Sequence, residues 1–350
     1  MMKNIKALLT ASLLTVSLLA GCSGGAASSQ APASSETPAA QSSAAASASE
    51  SGETFTIGLA QLVEHPSLNT IRTSFTEELE ALGYGADKVT IDYKNGQGEQ
   101  STLNSIAQTF VGNQVDLIVA IATPTAQAMA SATTEIPILF SAVTDPVGAR
   151  LVDDANKPSG NITGTSDSIP VESIFALAKE LRPDDKTFGL VYNLGEDNSV
   201  SVIKETKAYL DANGMKYTEV TVANSSEVQQ AVQSLVGRVD AIFSPIDNTV
   251  AKSMPLAADI ALKAKIPFYT GADSMVEDGG LATVGIDYEE LGKKTAQMAV
   301  EIIEGKAISE LPVATMDNYR VVINTETAEA LGLDVSGIQN ADLVTTKAAA

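Results

Sequence analysis

Along most of the chain, short β-rich apolar runs alternate with apolar stripes at helical spacing, and no other feature restricts its possible folds so strongly. Phe55 to Gln61 reads as a first strand. Leu68, Ile71, Phe75, Leu79 and Leu82 follow at spacings of three and four, the buried face of a helix. A strand at 89–93 and a helix carrying Leu103, Ile106, Phe110 and Val111 come next. Residues 115–121 are then continuously apolar, as in a strand covered on both faces of a parallel sheet. A similar run lies at 136–140. Beyond residue 170 the alternation restarts: helix 171–182, strand 187–192, helix 198–213, strand 216–222, helix 226–236, strand 239–244, helix 249–264, strand 266–270. Repeated βα units imply an α/β fold of parallel sheets covered by helices and joined by right-handed crossovers.

The two halves share an order of features. Val115-Asp116 opens a strand ending at Thr123-Pro124, and Ile136-Pro137 opens the next. Val239-Asp240 opens a strand ending at Ser244-Pro245, and Ile266-Pro267 opens the next. Two similar α/β lobes account for this repetition. Ligands of such sheets bind beyond the carboxyl ends of the strands. The loops there carry the candidate binding residues: Gln61 and His65; Thr123, Pro124 and Thr125; Ser141, Thr144 and Asp145; Tyr192, Asn193, Glu196, Asn198 and Ser199; Asp247 and Asn248; and Asp273.

The ends of the chain bear on location. Lys3 and Lys6, the apolar stretch that follows and Leu19-Ala20-Gly21-Cys22 have the layout of a signal peptide closing on a lipobox, with Cys22 the acylated residue. Its apolar part is short for a membrane span. Residues 23–54, with ten serines and ten alanines, hold too little apolar area to offset ordering entropy and read as a disordered tether. Cys22 is the single cysteine, which excludes disulfides, a thiol nucleophile and a cysteine metal cluster from the globular part. A net charge of −21 argues against nucleic acid or an anionic lipid surface as partner.

Catalytic constellations are largely missing. Leu291-Gly-Lys-Lys-Thr295 lacks the spacing and first glycine of a phosphate loop, and Gly96-Gln-Gly98 lacks the third glycine of a dinucleotide site. There is no Gly-x-Ser-x-Gly elbow. His65, the single histidine, has no partner at metal-ligand spacing; it is either a loop residue with a satisfied hydrogen bond or part of a cleft lining. The loops suit an amino acid better. Thr123-Pro124-Thr125 joins a strand end to a helix start, where hydroxyls, backbone N–H groups and the helix dipole favour a carboxylate. Asp247 and Asp273, with Glu196 in reserve, are candidates for a ligand ammonium, since a buried charge needs a partner. Each of these acids, and Asp145 likewise, could instead cap a helix. Tyr192, Tyr269 and Tyr288 could stack on a ligand or serve the core.

Several of these loops resemble a known family. Glu64-His65-Pro66-Ser67-Leu68, Ala122-Thr-Pro-Thr-Ala-Gln-Ala128, Phe140-Ser-Ala-Val-Thr-Asp-Pro146, Gly160-Asn-Ile-Thr-Gly164, Tyr192-Asn193 with Glu196 and Asn198-Ser199, Asp247-Asn248 and Ile323-Asn324 are similar, in order, to the ABC-transporter substrate-binding proteins of the tryptophan/tyrosine type. The resemblance implies a type I periplasmic-binding-protein fold of two Rossmann-like lobes joined by three crossings. Lobe one would comprise 55–142 and 287–310, and lobe two 168–282 and 319–332. Hinges would lie near 143–167, 283–287 and 312–319, with 333–350 as a C-terminal tail. It further implies a non-enzymatic, lipid-anchored, extracytoplasmic receptor, monomeric and without cofactor or metal. Such a receptor would deliver tryptophan, tyrosine or phenylalanine to ABC permease subunits and touch the membrane through its anchor only. A ligand-sensing lipoprotein with no transport role is the alternative.

Overall fold

The computed structural model describes residues 54–347. The expected signal peptide with Cys22, the tether up to residue 53 and residues 348–350 lie outside the described residues. The chain opens with β1 (Phe55–Gln61), α1 (Pro66–Ala81), β2 (Val89–Asn95), α2 (Gln100–Gly112), β3 (Leu117–Ile121), α3 (Thr123–Ala132), β4 (Ile138–Ser141) and β5 (Ile162–Ser166). It then forms α4 (Val171–Leu181), β6 (Thr187–Asn193), α5 (Asp197–Ala212), β7 (Lys216–Val222), α6 (Val228–Leu235) and β8 (Ala241–Ser244). Next come α7 (Asn248–Ala251), α8 (Met254–Lys263), β9 (Phe268–Thr270), α9 (Asp273–Glu277) and β10 (Ala282–Gly285). It ends with α10 (Tyr288–Ile303), β11 (Ala314–Thr315), β12 (Arg320–Asn324), α11 (Thr325–Leu331) and β13 (Ala341–Val344).

These strands build two sheets, ordered β11-β5-β4-β3-β1-β2 and β13-β12-β10-β9-β8-β6-β7. Every pairing is parallel except β10 with β12. The chain passes between sheets three times: from β5 to α4, from β10 to α10, and from β11 to β12. The expected α/β architecture of two lobes with three crossings is therefore present.

The repetition in the sequence has a structural cause. Asp116, just before β3, accepts from Thr56 N at 2.7 Å while its own N–H donates to Thr56 O. Asp240, just before β8, does the same for Thr187 through its side chain (2.8 Å) and N–H. Each aspartate therefore ties the start of its lobe's third strand to the first. Two residues along each first strand stands a glycine against which a helix packs. A Cβ on Gly58 would lie 2.8 Å from the Phe110 ring, and one on Gly189 would lie 2.6 Å from Leu235.

Several local readings differ from what formed. The expected helix 249–264 is two helices, because Asp247 caps a four-residue turn and Pro255, lacking an N–H, restarts the helix at the next turn. The segment 143–167, expected as a hinge, contains β5. All five β5 residues are buried, yet Thr163, Gly164, Thr165 and Ser166 give it no apolar signature. Their hydroxyls are satisfied from distant segments: Thr163 donates to Leu311 O (2.7 Å) and Thr165 meets Thr295 (2.9 Å). The expected hinges 283–287 and 312–319 likewise overlap β10 and β11, and the expected tail includes β13, paired with β12.

Candidate functional site

Between the lobes lies a narrow, enclosed cleft, drawn nearly shut with about 10 Å³ of free volume. Its walls come from strand ends and helix starts of both lobes: His65, Ser67 and Leu68 at α1, Ala122 before α3, Ala142 and Thr144 after β4, and Asp167 after β5. Facing them are Asn198, Ile246 to Asn248, Ala251, Ala272 and Met275, with Tyr288 opening α10. Ala122 (φ +81°) and Ala142 (φ +57°) hold a left-handed backbone rarely adopted by residues with a Cβ, and both sit where adjacent strands end at the cleft. Strain of this kind concentrates at binding sites.

The two lobes are joined across the cleft. Ser67 and Ser274 hydroxyls lie 2.6 Å apart, and His65 Nε2 is 3.0 Å from Asn248 Oδ1. Outside the cleft, Gln127 Nε2 donates to Asp197 Oδ2 (2.8 Å) and Ser201 Oγ donates to Asp145 Oδ2 (2.5 Å).

All four of the expected acids are committed to protein partners. Glu196 accepts from both the N–H and the side chain of Asn248 and of Thr249, at 2.6–3.1 Å, which caps α7. Asp247 accepts from Val250 N (2.9 Å), Asn193 N (2.7 Å) and Ser199 Oγ (2.7 Å). Burial, and then the charge of Glu196, push its carboxyl up to about 7. Asp273 pairs with Arg320 at 3.3 Å, and burial raises it to about 6. Asp145 serves a loop N–H and Ser201.

The carboxylate that the sequence reading overlooked is Asp167. It is 1 % exposed, and among the described residues it forms no salt bridge. Thr144 Oγ1 donates to one oxygen at 2.8 Å, and the Tyr288 hydroxyl approaches the other at 3.5 Å. Loss of hydration raises its pKa to about 6. Its position directly after β5 obeys the strand-end rule; it escaped notice because β5 itself was unrecognised.

The other expected residues divide clearly. His65, Thr144, Asn198, Asp247 and Asn248 line the cleft. Thr123 and Thr125 are buried at the start of α3, which has no side-chain cap. Their hydroxyls, Asn198 Oδ1 and His65 Nδ1 are buried without a hydrogen-bond partner. Gln61 instead braces α1 through Asn69 and Arg72, and Ser141 meets Thr295 on α10 at 2.9 Å. Tyr192 donates to Glu219 at 2.8 Å, and Ser199 supports Asp247. Tyr269 packs in the second lobe's core. Pro124, Asn193 and Glu196 border a larger groove of about 760 Å³ beside the cleft. None of the unpartnered buried atoms lies on that groove, whereas His65 Nδ1 and Asn198 Oδ1 belong to residues that line the smaller cleft; Thr123 and Thr125 line neither. Among the described residues no cluster of side chains suits a metal ion, and no helix is long and apolar enough to cross a membrane.

Comparison with known proteins agrees with this geometry. A family model described as ABC transporter substrate binding protein matches residues 56–346. A tyrosine-binding protein of Clostridioides difficile is 40% identical over 342 residues, 97% of this chain and 95% of its own. A Streptococcus pneumonia domain solved in complex with L-Trp is 39% identical with a TM-score of 0.81, covering 83% of this chain and 100% of its own. The ligand-free, open structure of a Clostridium difficile substrate binding protein with adhesive properties is 43% identical. Its TM-score is 0.66 over 84% of this chain and 100% of its own. The lower score against the open structure, despite higher identity, accords with the hydrogen bonds that close the lobes here. The fold is that of the type I periplasmic binding proteins.

Proposed function

Because the chain belongs to the ABC transporter substrate binding protein family, we propose that its cleft captures an aromatic amino acid, tyrosine or tryptophan, for import. The observation that carries this reading is Asp167, a buried carboxylate on the cleft wall whose side-chain partners are two neutral hydroxyls, of Thr144 and Tyr288. A desolvated anion of this kind calls for a cation, and the ligand's α-ammonium is one of the right size. At the other end of an amino acid, the carboxylate is suited by the α3 N-terminus, where Thr123 and Thr125 add hydroxyls to a favourable dipole. The apolar wall of Leu68, Ala251, Ile246 and Met275 suits a ring. The relatives' names, one tyrosine-binding and one solved with L-Trp, support the same choice.

Cys22 would anchor the mature protein outside the cell through the lipid of its lipobox, with 23–54 as tether, and the closed lobes would present the ligand to permease subunits. Lobes one and two would be bounded by the three crossings, and no catalytic step is needed for this role. Calorimetric titration of a 55–350 fragment with the twenty amino acids tests the ligand. Saturable binding of tyrosine or tryptophan is expected, and a flat response to every amino acid would dismiss the reading.

A further inference from the structure

We infer that His65 is the residue that selects the ligand's side chain, presenting a fixed hydrogen-bond acceptor that only an N–H or O–H on the ring edge satisfies. The inference rests on the amino-acid reading above and goes beyond it to specificity. Its origin is a relay of three buried side chains. The Glu196 carboxylate can only accept, so the amide nitrogen of Asn248 must face it, and does so at 2.6 Å. Asn248 Oδ1 is thereby turned to His65 Nε2, 3.0 Å away, which must donate. Burial holds the imidazole below its ordinary pKa, so it is neutral, and a neutral ring donating from Nε2 has an acceptor at Nδ1. That Nδ1 is buried without a partner, on a residue lining the cleft.

The company His65 keeps points to the ring rather than the ammonium. Leu68 on its own helix, together with Ala251 and Met275 from the facing lobe, forms part of one continuous apolar cluster. Asp167, by contrast, is grouped with Thr144 and Tyr288. Tyrosine and tryptophan each carry a donor on the ring edge; phenylalanine does not. A ligand without that donor would leave Nδ1 desolvated and unpaired, a recognised source of discrimination.

Two matched ligand pairs test this: tyrosine against phenylalanine, and tryptophan against benzothienylalanine, its analogue with sulfur in place of N–H. In the wild-type protein at least one donor ligand should bind about tenfold or more tightly than its partner. In His65→Leu the side chain keeps its bulk and carries no hydrogen-bond acceptor, so that ratio should fall towards one. Because His65 is the only histidine, nitrogen-15 labelling gives one imidazole spectrum. It should report the Nε2–H tautomer, with the Nδ1 signal shifting on the donor ligand and not on its partner. Equal affinities within both pairs, or a ratio unchanged in His65→Leu, overturn the inference while leaving amino-acid binding intact. Failure of all four ligands to bind the wild type removes the amino-acid reading and this inference with it.

Discussion

Thr144 Oγ1 donates to Asp167 Oδ1 across 2.8 Å, whereas Asp167 Oδ2 has only the distant Tyr288 hydroxyl at 3.5 Å. One oxygen is thus pinned to the end of β4 and the other is left facing the cleft. A neutral hydroxyl does not offset the desolvation of a full charge, so the carboxylate is suited to a cationic ligand group.

Asp167→Asn should therefore weaken amino-acid binding by more than about a hundredfold, since breaking a buried charge pair costs about 3–5 kcal/mol. Thr123→Ala, which removes one neutral hydroxyl, should cost about 0.5–1.5 kcal/mol. Calorimetry on the two variants measures both, and equal losses would show that Asp167 does not hold the charge.

The pH dependence follows from the same carboxylate. Asp167 titrates near 6 when folded, above its ordinary value of 3.8, so between these values the folded state holds more protons than the unfolded one. Its contribution to the stability of the ligand-free protein is present below about pH 4 and is lost as pH rises through 6. Asparagine mimics the protonated acid at every pH. The ligand-free Asp167→Asn protein should match wild type near pH 4 and melt increasingly above it towards pH 7. Thermal unfolding at several pH values checks this. Affinity for the ligand runs the other way: it should fall below pH 6 in wild type, as the carboxylate protonates, and lose this dependence in the variant.

The paired glycines offer a test of the repeated lobes. A methyl at position 58 meets the Phe110 ring, and one at 189 meets Leu235, each closer than packed atoms allow. Gly58→Ala and Gly189→Ala should each destabilise by about 1–3 kcal/mol. Denaturant titration measures the loss, and a neutral outcome would mean that α2 or α6 can move away from its sheet without cost.

Closure rests partly on bonds outside the cleft. Gln127→Ala with Ser201→Ala removes the Gln127–Asp197 and Ser201–Asp145 contacts while leaving the cleft lining untouched. The double variant should release ligand several-fold faster with little change in association rate, because these bonds form only when the lobes meet. Stopped-flow kinetics separates the two rates, and small-angle scattering should show a larger radius of gyration in the ligand-free variant than in wild type.

The βα alternation, the two lobes and most strand positions were legible in the sequence by itself. Burial on both faces of a parallel sheet demands continuous apolar runs such as 117–121, and those runs are local. The candidate loops followed from the rule that ligands bind at strand ends, and five of their residues do line the cleft. Tertiary structure alone decided which acid is free. Glu196, Asp247 and Asp273 look like Asp167 in a sequence, but their partners Asn248, Ser199 and Arg320 stand 47 to 52 positions away. Strand β5 was hidden for the same reason: its buried threonines are satisfied by Leu311 and Thr295, more than a hundred residues further on. Hydropathy reads the cost of burying a side chain locally, whereas the hydrogen bond that removes this cost is made only when the fold brings the distant partner alongside.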